Sequence, residues 1–113
     1  MTLTWLFLAF DGRIGRKAYW FSIVITIAAE LAASLVDRIV LGDPSSIVSL
    51  LVSLAAIYTG LAVSAKRWHD RDKSAWWILI ILVPLVGPIW TIVENGFLRG
   101  TAGPNRFGPD PLS

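Results

Sequence analysis

Cysteine is absent from the 113 residues, histidine occurs once, and charged side chains make up only 16% of the chain. Without thiols the chain cannot form disulfides, thiolate metal sites or a cysteine nucleophile. A single histidine also excludes metal centres that need several imidazole ligands. The scarcity of charge accompanies an apolar content of 55%, far from the balance of a soluble domain of this size. This composition predicts a protein whose solvent is a lipid bilayer.

A continuous basic face is also lacking, although the formal net charge is +2 and the sequence pI is about 9.4. The Lys and Arg residues fall in short blocks between apolar runs, whereas a nucleic-acid-binding domain clusters them on one surface. Nucleic acid is therefore not among the predicted partners. We interpret these blocks as signals that set the orientation of membrane helices.

Three apolar runs are long enough to cross the hydrocarbon of a bilayer, which takes about 20 helical residues. The predicted spans are residues 18–40, 47–65 and 76–95. Residues 1–10 are apolar but too short to cross, so we expect a short helix in the interface. A Gly-Asp-Pro-Ser-Ser stretch at 42–46 predicts a tight loop, and the Gly- and Pro-rich tail 96–113 is too polar to span. The sequence thus predicts one all-α domain, an integral membrane bundle of three transmembrane helices with a short interfacial N-terminal helix.

The distribution of basic residues predicts a cytoplasmic N-terminus in a bacterial inner membrane. With three spans, the basic residues on the outer side would be Arg38, Arg99 and Arg106, and the rest would be cytoplasmic. An alternative takes the Pro-Leu-Val-Gly-Pro stretch at 84–88 as the tip of a re-entrant hairpin, which returns the tail to the cytoplasm and leaves only Arg38 outside. We favour three spans because each arm of such a hairpin is short for a stable excursion into lipid.

One polar stripe interrupts the first predicted span. Glu30, Ser34 and Asp37 share a helical face, and an ionised carboxylate at that depth costs on the order of 3 kcal/mol. Small hydroxylated residues on the second span offer a partner surface, and in an antiparallel pair Ser53 would lie at the depth of Glu30. We expect Glu30 to be buried and hydrogen-bonded, with a proton or cation relay as the alternative.

The charged stretch at 66–73 carries the only His-Asp pair, His69 and Asp70. Metal-dependent hydrolysis would need further histidine and aspartate ligands, so no metal ligand is predicted here. A serine hydrolase triad is equally unsupported, because no serine lies in a strand-turn-helix elbow. We expect a hydrogen-bonded structural histidine at the membrane surface.

Motifs in four regions resemble those of the small bacterial inner-membrane proteins grouped as domain of unknown function 805, the YhaH/YhaI-like proteins. The matching positions are residues 10–13 with Arg16, Tyr19 and Trp20; residues 66–70 and 73–77; Pro84 and Gly87; and Gly100, Thr101, Gly103 and 105–111. The resemblance implies a compact bundle of membrane helices and no established activity, since the family is named for lacking one. It also implies a shared polar cluster, with the candidate members Arg13, Arg16, Arg67, His69, Asp70, Asn105, Arg106 and Asp110. Three spans would put the tail on the opposite side from the first two motifs, so this cluster requires the re-entrant arrangement.

The predicted function is that of a small polytopic membrane protein, not an enzyme, that acts through lipid or protein contacts. Its predicted partners are the bilayer, anionic phospholipid or another membrane protein, and further copies of the chain. The alternative is an oligomeric transporter or pore in which Glu30 and the serine stripe line a path between protomers. A third hypothesis is a membrane-embedded enzyme using His69 and Asp70 at the surface. No catalytic residue, cofactor or metal is assigned.

Overall fold

The computed structural model describes residues 2–42 and 47–112. The tight loop expected at 42–46 therefore lies, apart from Gly42, outside the described residues. Within these ranges the regular elements are helical, and the β-pairing consists of one isolated bridge between Asn105 and Gly108. The prediction of an all-α fold is confirmed for this part of the chain.

Four α-helices follow one another along the chain, and segments of other helical types extend or connect them. They are α1 (Leu3–Leu8), α2 (Arg16–Leu35) with a π-helical extension (Val36–Val40), α3 (Ile47–Asp70), a 3-10 helix (Ala75–Leu82), and α4 (Val86–Ile92) with a π-helical extension (Val93–Phe97). The short N-terminal helix expected within residues 1–10 is present as α1. Helix α3 continues to Asp70, five residues beyond the predicted span. Its last charged turn is helical because those side chains are buried and paired within the protein.

Helices α2 and α3 pack side by side in antiparallel orientation. The carboxylate of Asp37, at the end of this pair, accepts hydrogen bonds from the backbone N–H groups of Val48 (3.1 Å) and Ser49 (2.8 Å). These are amides of the first turn of α3, which have no acceptor inside their own helix. Asp37 is fully buried and caps α3 across the turn. The polar stripe of α2 therefore faces protein at this end.

The third predicted span, residues 76–95, does not form one helix. Pro84 lacks an N–H, Leu85 adopts a left-handed backbone conformation (φ 64°), and the chain reverses between the 3-10 helix and α4. A side chain at Gly87 would overlap the backbone of Ile80, so only glycine permits this close approach of the two arms. We call residues 75–97 the C-terminal hairpin.

Contacts across the C-terminal hairpin hold its two ends together. Lys73, just before the first arm, pairs with Glu94 at the end of the second (Nζ to Oε2, 2.6 Å). Trp77 and Trp90 stack across the arms with ring centroids 6.3 Å apart. The segment thus returns the chain to the end from which it started, as the re-entrant alternative requires.

Large apolar side chains are exposed along α2, α3 and both arms of the C-terminal hairpin. Among the described residues, α3 is the one helix that alone is long and apolar enough to cross a bilayer, with a mean hydropathy of 2.1. Only 11% of its most apolar 18-residue stretch is buried inside the protein, whereas the core helix of a soluble protein is mostly covered. A bundle of three transmembrane helices is therefore not confirmed, but the exposed apolar surface of α3 fits a membrane protein.

A small core lies where α1 folds over the start of α2 and the later turns of α3. Its buried hydrophobic members are Leu6, Ile14, Tyr19 and Val63. Lys66 ties α1 to α3, because its ammonium donates to the carbonyls of Trp5 (3.0 Å) and Ala9. One end of the bundle therefore contains α1, the start of α2, the end of α3, both ends of the C-terminal hairpin and the tail.

Candidate functional site: a buried arginine–aspartate cluster

A charged cluster lies at the end of the bundle where α2 begins and α3 ends. Asp70, in the last position of α3, stands between the guanidinium groups of Arg13 and Arg67. Arg13 Nη2 lies 2.9 Å from Asp70 Oδ1, and Arg67 Nη1 contacts Oδ2. The three side chains are only 1%, 0% and 4% exposed for Arg13, Arg67 and Asp70 respectively. We call these three residues the Arg–Asp cluster.

Arg13 fastens the tail to this cluster. Its Nε donates to Asp70 Oδ1 (3.1 Å), and its terminal nitrogens donate to the backbone carbonyls of Thr101 (2.6 Å), Gly103 (2.7 Å) and Gly108 (3.2 Å). A fifth bond reaches the carbonyl of Asp70 itself at 3.5 Å. A guanidinium has five N–H donors in a fixed planar fork, and here all five are used within the protein.

Arg67 fastens the C-terminal hairpin in the same way. Besides Asp70, it donates only to backbone carbonyl oxygens. These belong to Ile14 (3.1 Å), Glu94 (3.5 Å), Asn95 (2.6 Å) and Leu98 (2.9 Å). Its five donors are therefore also satisfied, and one side chain connects the start of α2, the end of α3 and the end of the hairpin.

Gly100 brings the tail backbone against Asp70. The N–H of Thr101 donates to the Asp70 carbonyl at 2.6 Å, and a side chain at Gly100 would overlap the Asp70 carboxylate. Only glycine fits this position while the pairing of Asp70 with both arginines is kept. The Gly-Thr dipeptide of the tail motif thus has a physical reason.

His69 is held by the polypeptide on two sides. Its Nδ1 lies 2.9 Å from the carbonyl oxygen of Gly12, and its ring stacks on Phe107 with centroids 4.0 Å apart and planes 5° from parallel. A carbonyl only accepts, so Nδ1 carries the hydrogen in this pair. The amide of Asn105 donates to the His69 carbonyl at 2.9 Å. The histidine and the Asn-Arg-Phe segment of the tail therefore form one packed unit.

Two members of the predicted polar cluster lie at its exposed edge. Arg106 pairs with Asp72 (Nε to Oδ1, 3.2 Å), and both side chains are solvent-accessible. Arg16 donates to the carbonyl of Phe97 at 2.8 Å, which links the first turn of α2 to the end of the hairpin. Neither residue contacts the Arg–Asp cluster through these bonds.

Asp110 closes the turn of the tail. Its carboxylate accepts the backbone N–H groups of Gly103 (3.0 Å) and Leu112 (2.9 Å), and Arg99 lies 3.8 Å away. These two N–H bonds, with smaller contributions from Arg13 and Arg99, lower the pKa of Asp110 below its ordinary value. The carboxylate therefore stays ionised and keeps the turn closed at neutral pH.

The sequence analysis did not assign two buried charged residues, Lys66 and Glu94, to this end of the bundle. Lys66 is fully buried, and its ammonium lies 4.9 Å from the centre of the Trp5 ring. The carboxylate of Glu94 forms ion pairs with Lys73 and Arg71 (3.5 Å) and accepts a hydrogen bond from the indole N–H of Trp90 (2.9 Å). The sequence does place Lys73 and Glu94 at the two ends of one apolar run. This placement predicts an ion pair between them only if the run turns back.

The intramembrane polar residues form a separate group between α2 and α3. Ser53 donates to Glu30 at 3.1 Å, the pairing expected from antiparallel packing, and Ser34 is half-buried one turn further along α2. Nearer the Arg–Asp cluster, a cavity of about 170 Å³ opens between the two helices. Its polar lining side chains are Tyr19, Ser22, Thr26, Thr59 and Ser64. Asp37, in contrast, is occupied by the cap on α3.

The arrangement is that of a clamp between chain segments. In residues 2–42 and 47–112, no group of three or more His, Cys, Asp or Glu side chains is placed to hold a metal ion. The acid of the Arg–Asp cluster is paired with two cations, and both cations have used every donor. The cluster can hold four chain segments in place, and it presents no vacant donor to a ligand.

Known proteins give the chain a family. The sequence profile described as "Protein of unknown function (DUF805)" matches residues 7–109. Inner membrane protein YhaH of Escherichia coli (strain K12) is 38% identical over 108 residues, covering 93% of this chain and 88% of that protein. Inner membrane protein YhaI of the same strain is 34% identical, covering 93% and 87%. No solved structure matches significantly. With the profile and both relatives extending over nearly all of its length, the chain belongs to the DUF805 family.

Proposed function

We propose that this chain is a multi-pass protein of a bacterial inner membrane that acts without catalysis, through contacts with lipids or with other membrane proteins. In this arrangement α2 and α3 cross the bilayer, and the C-terminal hairpin enters and leaves on the side of the Arg–Asp cluster. The carrying observation is that both guanidinium groups of that cluster have all their donors occupied by the protein. The buried charged cluster then needs no substrate to account for it.

The relatives support the membrane placement, since YhaH and YhaI carry the name of inner membrane proteins. The exposed apolar surface of α3 supports it independently, because such a surface is stable only in lipid or against another apolar surface. Irregular backbone at the tip of the hairpin is compatible with lipid only if its polar groups are paired within the protein. The backbone N–H groups of Val83, Val86 and Gly87 donate to carbonyls of the hairpin itself, at 3.0, 2.7 and 2.9 Å.

The charge distribution supports a cytoplasmic location for the Arg–Asp cluster. With the hairpin returning, nine of the ten Lys and Arg residues lie on the side of the cluster, and Arg38 alone lies at the opposite end. Cytoplasmic segments of inner-membrane proteins carry this excess of positive charge. The N-terminus, the charged end of α3 and the tail would then all face the cytoplasm.

Single cysteines test this topology on a clean background, because the chain has no cysteine of its own. We expect a membrane-impermeant thiol reagent to label Leu41→Cys, at the turn after α2, in intact spheroplasts. Asp11→Cys and Leu112→Cys should be labelled only after the membrane is opened. Labelling of Leu112→Cys together with Leu41→Cys in intact spheroplasts would contradict the re-entrant hairpin and restore three spans.

The non-catalytic role has its own test in cells. If the Arg–Asp cluster is a clamp, Arg13→Gln should reduce the amount of folded protein, and any physiological effect should fall in proportion to that amount. Arg106→Gln, at the exposed edge, serves as the matched control and should change neither. An Arg13→Gln protein that accumulates folded at the wild-type level but loses its effect would show that the guanidinium acts on a ligand.

A transporter is the second candidate, favoured by the Glu30–Ser53 hydrogen bond and the hydroxyl-lined cavity between α2 and α3. A carboxylate inside a membrane helix marks ion or proton paths in many proteins. Reconstituted in liposomes, wild-type chain should then carry a proton flux that Glu30→Gln abolishes and the exposed control Asp11→Asn retains. Absence of flux from the wild-type chain removes this candidate.

A further inference from the structure

An apolar groove of about 880 Å³ runs beside the N-terminus of α2. Three separate segments form its walls: α1, the start of α2, and the end of the tail. The apolar side chains that line it include Leu3, Trp5, Ile14, Phe21 and Leu112. Its volume is that of pockets that enclose small organic ligands, about 300–1,000 Å³.

Where the groove meets the N-terminus of α2, the first turn of the helix carries basic residues in place of the acidic residues that are usual there. Gly15, the N-cap of α2, supplies no side-chain acceptor, and the first turn contains no acidic residue. Instead Arg16 and Lys17 stand there, adding positive charge to the positive end of the helix dipole. Arg16 is engaged with the Phe97 carbonyl, while Lys17 is exposed and lines the groove.

We propose that this groove binds an anionic phospholipid, with an acyl chain along its apolar walls and the phosphate beside Lys17 at the N-terminus of α2. The inference rests on the membrane placement proposed above and names the lipid contact through which the protein acts. A phosphate supplies the acceptors and negative charge that the start of α2 lacks. The apolar walls select a lipid over a free phosphate. The phosphate would lie at the interface, where the cytoplasmic leaflet presents its anionic headgroups.

Binding is tested with the purified full chain in neutral detergent. Phosphatidylglycerol and phosphatidylcholine with identical acyl chains are added in equal amounts, and retained lipid is counted by native mass spectrometry. We expect the wild-type chain to retain phosphatidylglycerol in preference to phosphatidylcholine. Lys17→Gln should lower that preference about fivefold, the factor that corresponds to about 1 kcal/mol per basic residue near an anionic surface.

Arg38→Gln is the matched control, because Arg38 is also an exposed cation on the same helical run but lies at its far end. It should leave the preference unchanged. Phe21→Ala, which removes part of the apolar wall, should reduce retention of both lipids. All variants should unfold at the wild-type temperature, since none of these side chains is buried.

Equal retention of the two lipids by the wild-type chain would overturn the proposal. The same loss of preference in Lys17→Gln and Arg38→Gln would overturn it too, since it would reveal a response to total charge. Unchanged retention of lipid by Phe21→Ala would show that the acyl chain does not bind in this groove. None of these results touches the topology, which the single-cysteine labelling decides separately.

Discussion

Replacing Asp70 by asparagine removes the one carboxylate that faces two buried guanidinium groups. Three guanidinium nitrogens approach this carboxylate: Nε and Nη2 of Arg13, and Nη1 of Arg67. In Asp70→Asn one oxygen becomes an NH₂ group, so a donor faces a donor and two cations lose their counter-charge. Because the side chains are at most 4% exposed, water does not replace the lost acceptor.

Breaking a buried ion pair by removing one partner costs about 3–5 kcal/mol. Asp72→Asn is the matched control, two positions away, where a carboxylate that is 42% exposed pairs with the exposed Arg106. Exposed pairs of this kind contribute about 0–1 kcal/mol. We therefore expect the two variants to differ by at least about 2 kcal/mol in the free energy of unfolding.

Equilibrium unfolding in a mild detergent, followed by tryptophan fluorescence, measures this difference. Limited proteolysis gives a second readout, because Asp70→Asn should release the tail and expose it to cleavage. Equal losses of stability in the two variants would refute the reasoning, since they would mean that Asp70 is no more engaged than a surface carboxylate.

Two further predictions follow from the tail. Gly100→Ala should destabilise the protein by about 1–3 kcal/mol, because the added methyl group must displace the Asp70 carboxylate or backbone. Gly60→Ala is the control and should not destabilise the protein, because a methyl group there meets open space. Equal unfolding midpoints for the two variants would argue against the close approach of Gly100 to Asp70. The lowered pKa of Asp110 gives stability that is present above its ordinary pKa and is lost as pH falls through the lower, folded value. Unfolding measured from pH 6 to pH 3 should therefore show a stability difference between wild-type chain and Asp110→Asn that shrinks towards the acid end; a constant difference would contradict this assignment.

The turn of the C-terminal hairpin shows what local sequence can predict. Pro84, Gly87 and Pro88 indicate a break in the third apolar run, and the break is there. Whether the run kinks and continues or turns back is not a local property, since both outcomes leave the same residues at the bend. The direction of the chain after the bend depends on the ion pair between Lys73 and Glu94, which are far apart in sequence. A hydropathy profile contains no information about such a pair.

The partners of the arginines show a second limit. The family motifs identified Arg13, Arg67 and Asp70 as candidates for one polar cluster, and the structure brings them together. Apart from Asp70, however, the acceptors are backbone carbonyls, which every residue possesses and which leave no signature in a sequence. The Glu30–Ser53 pair could be anticipated because helical spacing and an antiparallel partner fix both side chains. Side-chain pairs on regular helices are thus easier to foresee than side-chain bonds to an irregular tail.

The dependence of Arg13 on carbonyls up to 95 residues later has a consequence for biosynthesis. At about 5–20 residues per second, a ribosome reaches Gly108 roughly 5–20 s after it has made Arg13. During that interval the early guanidinium must find temporary acceptors, in water or among lipid headgroups. Premature termination before the Gly-Thr dipeptide would make this state permanent, leaving a chain without the tail carbonyls that accept from Arg13 in the folded protein.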